Sequence, residues 1–212
     1  MSPFSFRLSS LTLLLAAVLA SPVLAQTPPA LQPPDAKWVH PPADVPKIPR
    51  GDRTRNIDFL FGALKAAPDE ESAKAVEGRI WALWSVSGSD TVDLLMTRAK
   101  AAADGKDLDL AIRLLGSVIE LRPNYVEAWN RRATVYFLKH DYSGALADIR
   151  EVLALEPRHF GALSGLGVIL EEVGDEKHAL DAFRRAQEVY PWLNGVAEQV
   201  KTLKEKVEGR DI

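Results

Sequence analysis

The amino-acid sequence predicts an all-α solenoid built from helical hairpins, and three observations carry that expectation. Pro123, Pro157 and Pro191 are spaced by 34 residues; so are Ala111, Ala145 and Ala179, and Asp107, Asp141 and Asp175. Three independent residue types sharing one period mark an internal repeat, and a period between 20 and 50 residues marks a stacked array. From about residue 56 the chain is rich in Ala, Leu, Glu, Arg and Lys, which are good helix formers. Apolar residues such as Trp129, Ala133 and Tyr136 recur at helical spacing between Val126 and Leu138.

The chain opens on a different logic. Arg7 is a positive n-region, and Leu11 to Ala20 (LTLLLAAVLA) is an apolar run too short to span a bilayer. Pro22 breaks it, and Val23-Leu24-Ala25 places small residues at the positions a signal peptidase reads. A signal peptide over 1–25, cleaved after Ala25, is expected; the alternative is an uncleaved anchor. Without Cys this is not a lipoprotein signal. The mature protein is expected in the periplasm, with no stable membrane insertion.

Residues 26–55 follow as a Pro-rich linker, with eight prolines between 26 and 50. Proline lacks the amide donor and fixes φ, so an extended, disordered tether is expected. Trp38 within it folds back on the helices, has no role of its own, or belongs to a short partner motif over Lys37-Trp38-Val39-His40.

Residues 56–91 predict a divergent leading hairpin, stacked before the first repeat. Ile57, Leu60, Phe61 and Leu64 form one stripe. Pro68 and the acids at 69–71 start a second helix, with Val76, Ile80, Leu83 and Trp84 on its buried face. On the repeat register Trp81 and Trp84 fall at positions 24 and 27, but Glu77 stands where a small residue is wanted.

The repeats run over 92–125, 126–159 and 160–193. The second carries Trp129, Ala133, Tyr136, Ala145 and Pro157. The third carries Leu163, Leu166, Gly167, Leu170, Ala179, Phe183, Ala186 and Pro191. The first is weaker, with Leu95, Ala99, Ala102, Ala111, Leu115, Val118 and Pro123. Position 7 is Arg98, Arg132 and Leu166 in turn. In the turns, Gly105 and Gly174 are expected to supply positive φ, and Asp107, Asp141 and Asp175 to cap the following helices. Residues 194–212 predict a capping helix with a stripe of Val196, Val200, Leu203 and Val207.

This pattern resembles the tetratricopeptide repeat family, which it covers over about half of the chain. The resemblance implies a right-handed solenoid whose concave face is lined by the first helix of each repeat. It also implies an apolar residue at position 7, from which Arg98 and Arg132 depart. On this sequence it points to a groove of Met96, Lys100, Asn130, Thr134, Phe137, Leu138, Ser164, Val168 and Glu171. The Lys and Asn pattern with which some members grip a peptide carboxylate is largely missing. A mixed apolar groove is expected instead, with Phe137 and Leu138 either as anchors or packed beneath a neighbouring hairpin.

The chemistry is sparse. The chain has 26 Lys and Arg against 29 Asp and Glu, net −3, and removing the segment that holds Arg7 takes it to −4. That argues against a nucleic-acid partner. Zero Cys excludes disulfides, thiol catalysis and zinc–thiolate sites. His40, His140, His159 and His178 show no ligand spacing, so no metal and no cofactor are expected; the last three are expected at the surface. The sequence thus predicts a non-enzymatic interaction scaffold of the cell envelope, binding another protein or peptide segment. A self-associating structural protein is the alternative, and an enzyme ranks third.

Overall fold

The computed structural model describes residues 57–209, which contain nine α-helices and no strand. The expected signal peptide, the Pro-rich linker and Trp38 lie outside these residues. The helices are α1 (Ile57–Lys65), α2 (Glu70–Trp84), α3 (Asp90–Asp104), α4 (Leu108–Leu121), α5 (Val126–Leu138), α6 (Tyr142–Leu155), α7 (Phe160–Glu172), α8 (Glu176–Val189) and α9 (Val196–Val207). They pair as α1–α2, α3–α4, α5–α6 and α7–α8, and α9 covers α8.

Short-range chemistry sets the helix ends. The second helix of every repeat starts on an aspartate whose carboxylate accepts a backbone N–H three residues on. Asp107 takes Leu110 at 3.1 Å, Asp141 takes Gly144 at 2.9 Å and Asp175 takes His178 at 3.3 Å. These bonds satisfy amides that an α-helix leaves without a partner. The residue just before each aspartate has positive φ: Lys106 at 62°, His140 at 59° and Gly174 at 83°. Gly174 does what was expected of it, whereas Gly105, at −77°, closes α3 without a left-handed turn.

Within the repeats, small residues allow close approach. A Cβ on Gly167 would lie 2.7 Å from the Phe183 ring, so α7 and α8 meet at this separation only because position 8 carries none. The cores divide in two. Val92, Met96, Ala99, Leu115, Val118 and Val135 belong to a cluster made by α3, α4 and part of α5. Phe137, Ile149, Leu163, Val168, Phe183 and Leu203 belong to a larger one running through repeats 2 and 3 to the cap. On α9, Val196 and Leu203 are buried and Val207 is exposed. Arg184 holds Glu208 in a two-pronged pair at 2.7 and 3.0 Å.

The expectation that the leading hairpin stacks before repeat 1 is overturned. Leu60, Phe61, Leu64, Ile80, Trp81 and Trp84 are buried in the core of repeats 2 and 3, not in the core shared by α3 and α4. The side chains of α2 find their partners in repeats 2 and 3: Glu77 accepts from Tyr190 just after α8, and both indoles meet His159 and Phe160. Trp81 and Trp84 thus project onto the start of α7.

Candidate partner-binding groove

Within repeats 2 and 3, α2 sits against the start of α7, with Tyr125 just before α5 and Tyr190 just after α8 at its two ends. Trp84 stacks on the His159 imidazole, centroids 4.1 Å apart and planes 13° apart. Trp81 meets His159 and Phe160 edge-on, each at 5.4 Å. A Cβ on Gly161 would lie 3.1 Å from the Trp81 ring, so the indole rests on bare backbone. Glu77, out of place in a repeat, has a clear role. It accepts the Trp81 indole N–H at 3.1 Å and the Tyr190 hydroxyl at 3.0 Å, tying α2 to the end of α8. Tyr125 donates to the Ser85 carbonyl at 3.0 Å, and the Trp192 indole to the Ala67 carbonyl at 2.9 Å. Arg158 pairs with Asp58 at 2.7 Å and lies over the Phe61 ring at 4.2 Å.

The sequence placed His159 at the surface, and the structure corrects this: its side chain is fully buried. The Ala162 N–H donates to its Nδ1 at 3.0 Å, capping α7. Nδ1 is therefore an acceptor, and Nε2 carries the proton, which it donates to Glu127 Oε1 at 3.0 Å. Glu127 is buried as deeply. Its other oxygen faces the Arg131 Nε at 3.7 Å, beyond hydrogen-bonding range. No histidine spacing in the sequence signals this cluster. The near-absence of polar residues along α7 (FGALSGLGVIL) does signal that something covers both of its faces. Every residue from Phe160 to Ile169 except Leu166 is buried, and a helix apolar all round is an interior helix.

The residues expected to line the groove divide accordingly. Met96, Asn130, Phe137, Ser164 and Val168 are buried. Phe137 packs into the core 5.9 Å from the Tyr142 ring, so of its two readings the packed one holds. Lys100 is exposed and pairs with Asp104 at 2.6 Å. Thr134, Leu138 and Glu171 are half-buried, and the Thr134 hydroxyl donates to the Asn130 carbonyl at 3.0 Å. Both side-chain polar atoms of Asn130 are buried without a hydrogen-bond partner. Among the described residues, no group of three or more His, Asp or Glu could hold a metal ion, and no helix is long and apolar enough to cross a membrane.

Comparison with known proteins agrees with this geometry. The family model for the tetratricopeptide repeat matches residues 126–159, the second repeat. A TPR repeat-containing protein of Rhizobium etli is 41% identical over 155 residues, 73% of this chain and 76% of its own. Among solved structures, MamA superposes with a TM-score of 0.54 at 19% identity, covering 78% of this chain and 89% of that one. The first TPR of Spaghetti (RPAP3), bound to an HSP90 peptide, gives 0.54 at 18% identity, covering 57% and 95%. These two likenesses show the fold. Given the 34-residue hairpins and a relative of such identity over most of its length, the chain belongs to the tetratricopeptide repeat family.

Proposed function

We propose that this protein is a non-enzymatic interaction scaffold of the cell envelope, holding a segment of another protein against the first helices of its repeats. Tetratricopeptide repeats generally mediate protein–protein contacts and bind peptides. One observation supports that role most directly: the start of α7, Tyr125 just before α5 and Tyr190 just after α8 already hold a helix, α2, through its two indoles, the Glu77 carboxylate and the Ser85 carbonyl. A surface of small residues flanked by aromatic rings suits helix-in-groove recognition. The envelope location rests on the signal-like N-terminus, with its apolar run and the Val23-Leu24-Ala25 site.

The test is crosslinking and affinity capture from an envelope extract, using the chain that begins at Gln26. Lys100 and Leu138 are the accessible groove-side positions to vary, because a polar residue at Phe137 would disrupt the core. A partner captured reproducibly by the wild type and lost with Lys100→Glu plus Leu138→Glu is expected; capture of nothing reproducible overturns the reading. Mass spectrometry of the exported protein should find Gln26 at its N-terminus, and full-length protein confined to the cytoplasmic fraction overturns the location.

A further inference from the structure

We propose that the α1–α2 hairpin is a displaceable resident of the groove of repeats 2 and 3. The partner that replaces it is an amphipathic helix bearing two aromatic side chains one turn apart, preceded by a carboxylate. This rests on the scaffold reading above and deepens it by naming the site and the chemistry of its ligand.

Three features of the molecule support this. First, the hairpin is attached as a ligand is attached. It shares its core with repeats 2 and 3, which follow it only after the whole of repeat 1, and not with the α3–α4 hairpin next to it in the chain. A short Ser- and Gly-containing link, Ser85–Ser89, joins it to α3, and Gly88 within it has a φ of 73°. Second, the seating is incomplete. Among the described residues, buried side-chain polar atoms without a hydrogen-bond partner occur on Trp84 and Ser85 of the hairpin, and on Glu127 and Arg131 next to the His159 ring that Trp84 covers. Trp84 is the clearest, its indole nitrogen buried and unused although its ring is fully seated. Buried groups left in this way weaken the contact that buries them, and a ligand able to pair them gains over one that does not. Third, the seat prescribes its occupant. Phe160 and His159 take two rings at i and i+3, Gly161 leaves the space for one of them, and the Tyr190 hydroxyl takes a carboxylate four residues ahead of the first ring. A helix with the pattern acid-x3-aromatic-x2-aromatic satisfies all of these. The groove then has a closed state, holding α2, and an open one, holding the partner, and the partner's apparent affinity is lowered by the fraction of time α2 is seated.

The probe is a fluorescent synthetic peptide of this chain's own residues 68–86, followed by anisotropy. The receptors are the wild-type chain and Trp81→Ser/Trp84→Ser, which unseats the hairpin and leaves every groove residue unchanged. At least tenfold tighter binding by the variant is expected, with loss of binding when both tryptophans of the peptide are replaced by serine. Equal affinity for the two receptors, or binding indifferent to the peptide's indoles, overturns the proposal. Hydrogen exchange on the wild-type chain gives a reading that does not depend on the variant's folding. Amides of α2 should exchange at least tenfold faster than those of α7, and exchange of both helices in one step overturns the displaceable hairpin. A stable dimer with exchanged hairpins, detected by light scattering, overturns the external helix as occupant. An open groove that takes the peptide while the envelope extract yields no partner leaves this inference standing and removes only the scaffold reading. A partner captured by a chain whose hairpin stays seated removes only this one.

Discussion

Arg132 stands where the repeat pattern has an apolar residue, and the structure shows how the fold accommodates it. Its guanidinium takes both oxygens of Asp148, at 2.7 and 2.8 Å, while lying 5.1 Å from the Trp129 ring centroid and 5.8 Å from that of Tyr136. The pair spans α5 and α6 within repeat 2, and Asp148 is only 3% exposed. Removing one partner strands a buried charge, whereas removing both does not. Arg132→Ala is therefore expected to destabilise the domain by roughly 2–4 kcal/mol, discounted for the partial exposure of the arginine. Arg132→Leu with Asp148→Leu should restore most of that loss. Urea unfolding of the three chains checks it; a double variant as unstable as the single one would show that the ion pair itself, rather than the stranded carboxylate, matters. The sequence showed Arg132 as a departure from the pattern. It could not show Asp148 as the compensation, because the two are 16 residues apart and meet only when the hairpin closes.

At the scale of the element, the three repeats share a backbone device more faithfully than a side chain. Position 15 is left-handed in all of them, whether it carries Lys106, His140 or Gly174. The turn geometry is imposed by the need to reverse the chain and present Asp107, Asp141 or Asp175 to the next helix. A side chain with a Cβ pays roughly 1–2 kcal/mol for that conformation. Lys106→Gly and His140→Gly should each stabilise the domain by up to about 1 kcal/mol after the extra entropy of glycine in the unfolded chain is subtracted. Thermal unfolding reads the effect, and a lower melting temperature for both variants would mean that the lysine and histidine side chains contribute more than the strain costs. Reasoning from sequence put the positive φ of repeat 1 on Gly105, because glycine is the residue best suited to it. The turn decides by position, not by residue preference.

For the molecule as a whole, the seat of the hairpin depends on two neutral phenols. Tyr125 and Tyr190 donate to Ser85 and Glu77 of the hairpin. Burial first, and the carboxylates of Glu127 and Glu77 next, raise their pKa values above the ordinary phenol range. For a group whose folded pKa is raised, the stabilisation is complete below the unfolded value, about 10 for tyrosine, and is lost as the pH rises toward the folded one. Raising the pH above about 10 should therefore release the hairpin before the repeats unfold. The fluorescence of Trp81 and Trp84, read in a chain whose Trp38, Trp129 and Trp192 are replaced by Phe, should change ahead of the far-ultraviolet helical signal. Tyr125→Phe with Tyr190→Phe should move the early change to higher pH, and an unmoved transition would detach the hairpin from these two groups.

The sequence by itself determined what is local and periodic in this protein. The 34-residue spacing of proline, alanine and aspartate, together with 3.6-residue apolar stripes, is enough to specify helical hairpins and their fold family, since each repeat is one unit stacked on the next. The need for small residues at close helix contacts was legible too, as Gly167 against Phe183 shows. Only the tertiary structure decided where the leading hairpin goes. Its contacts lie far away in sequence: Arg158 is 100 residues from Asp58, Tyr190 is 113 from Glu77 and Trp192 is 125 from Ala67. No period links such pairs, so register arguments stack the hairpin before repeat 1. The two indoles, seated on His159, Phe160 and the bare backbone of Gly161, hold it against repeats 2 and 3, and His159 and Phe137 are buried rather than placed at a surface.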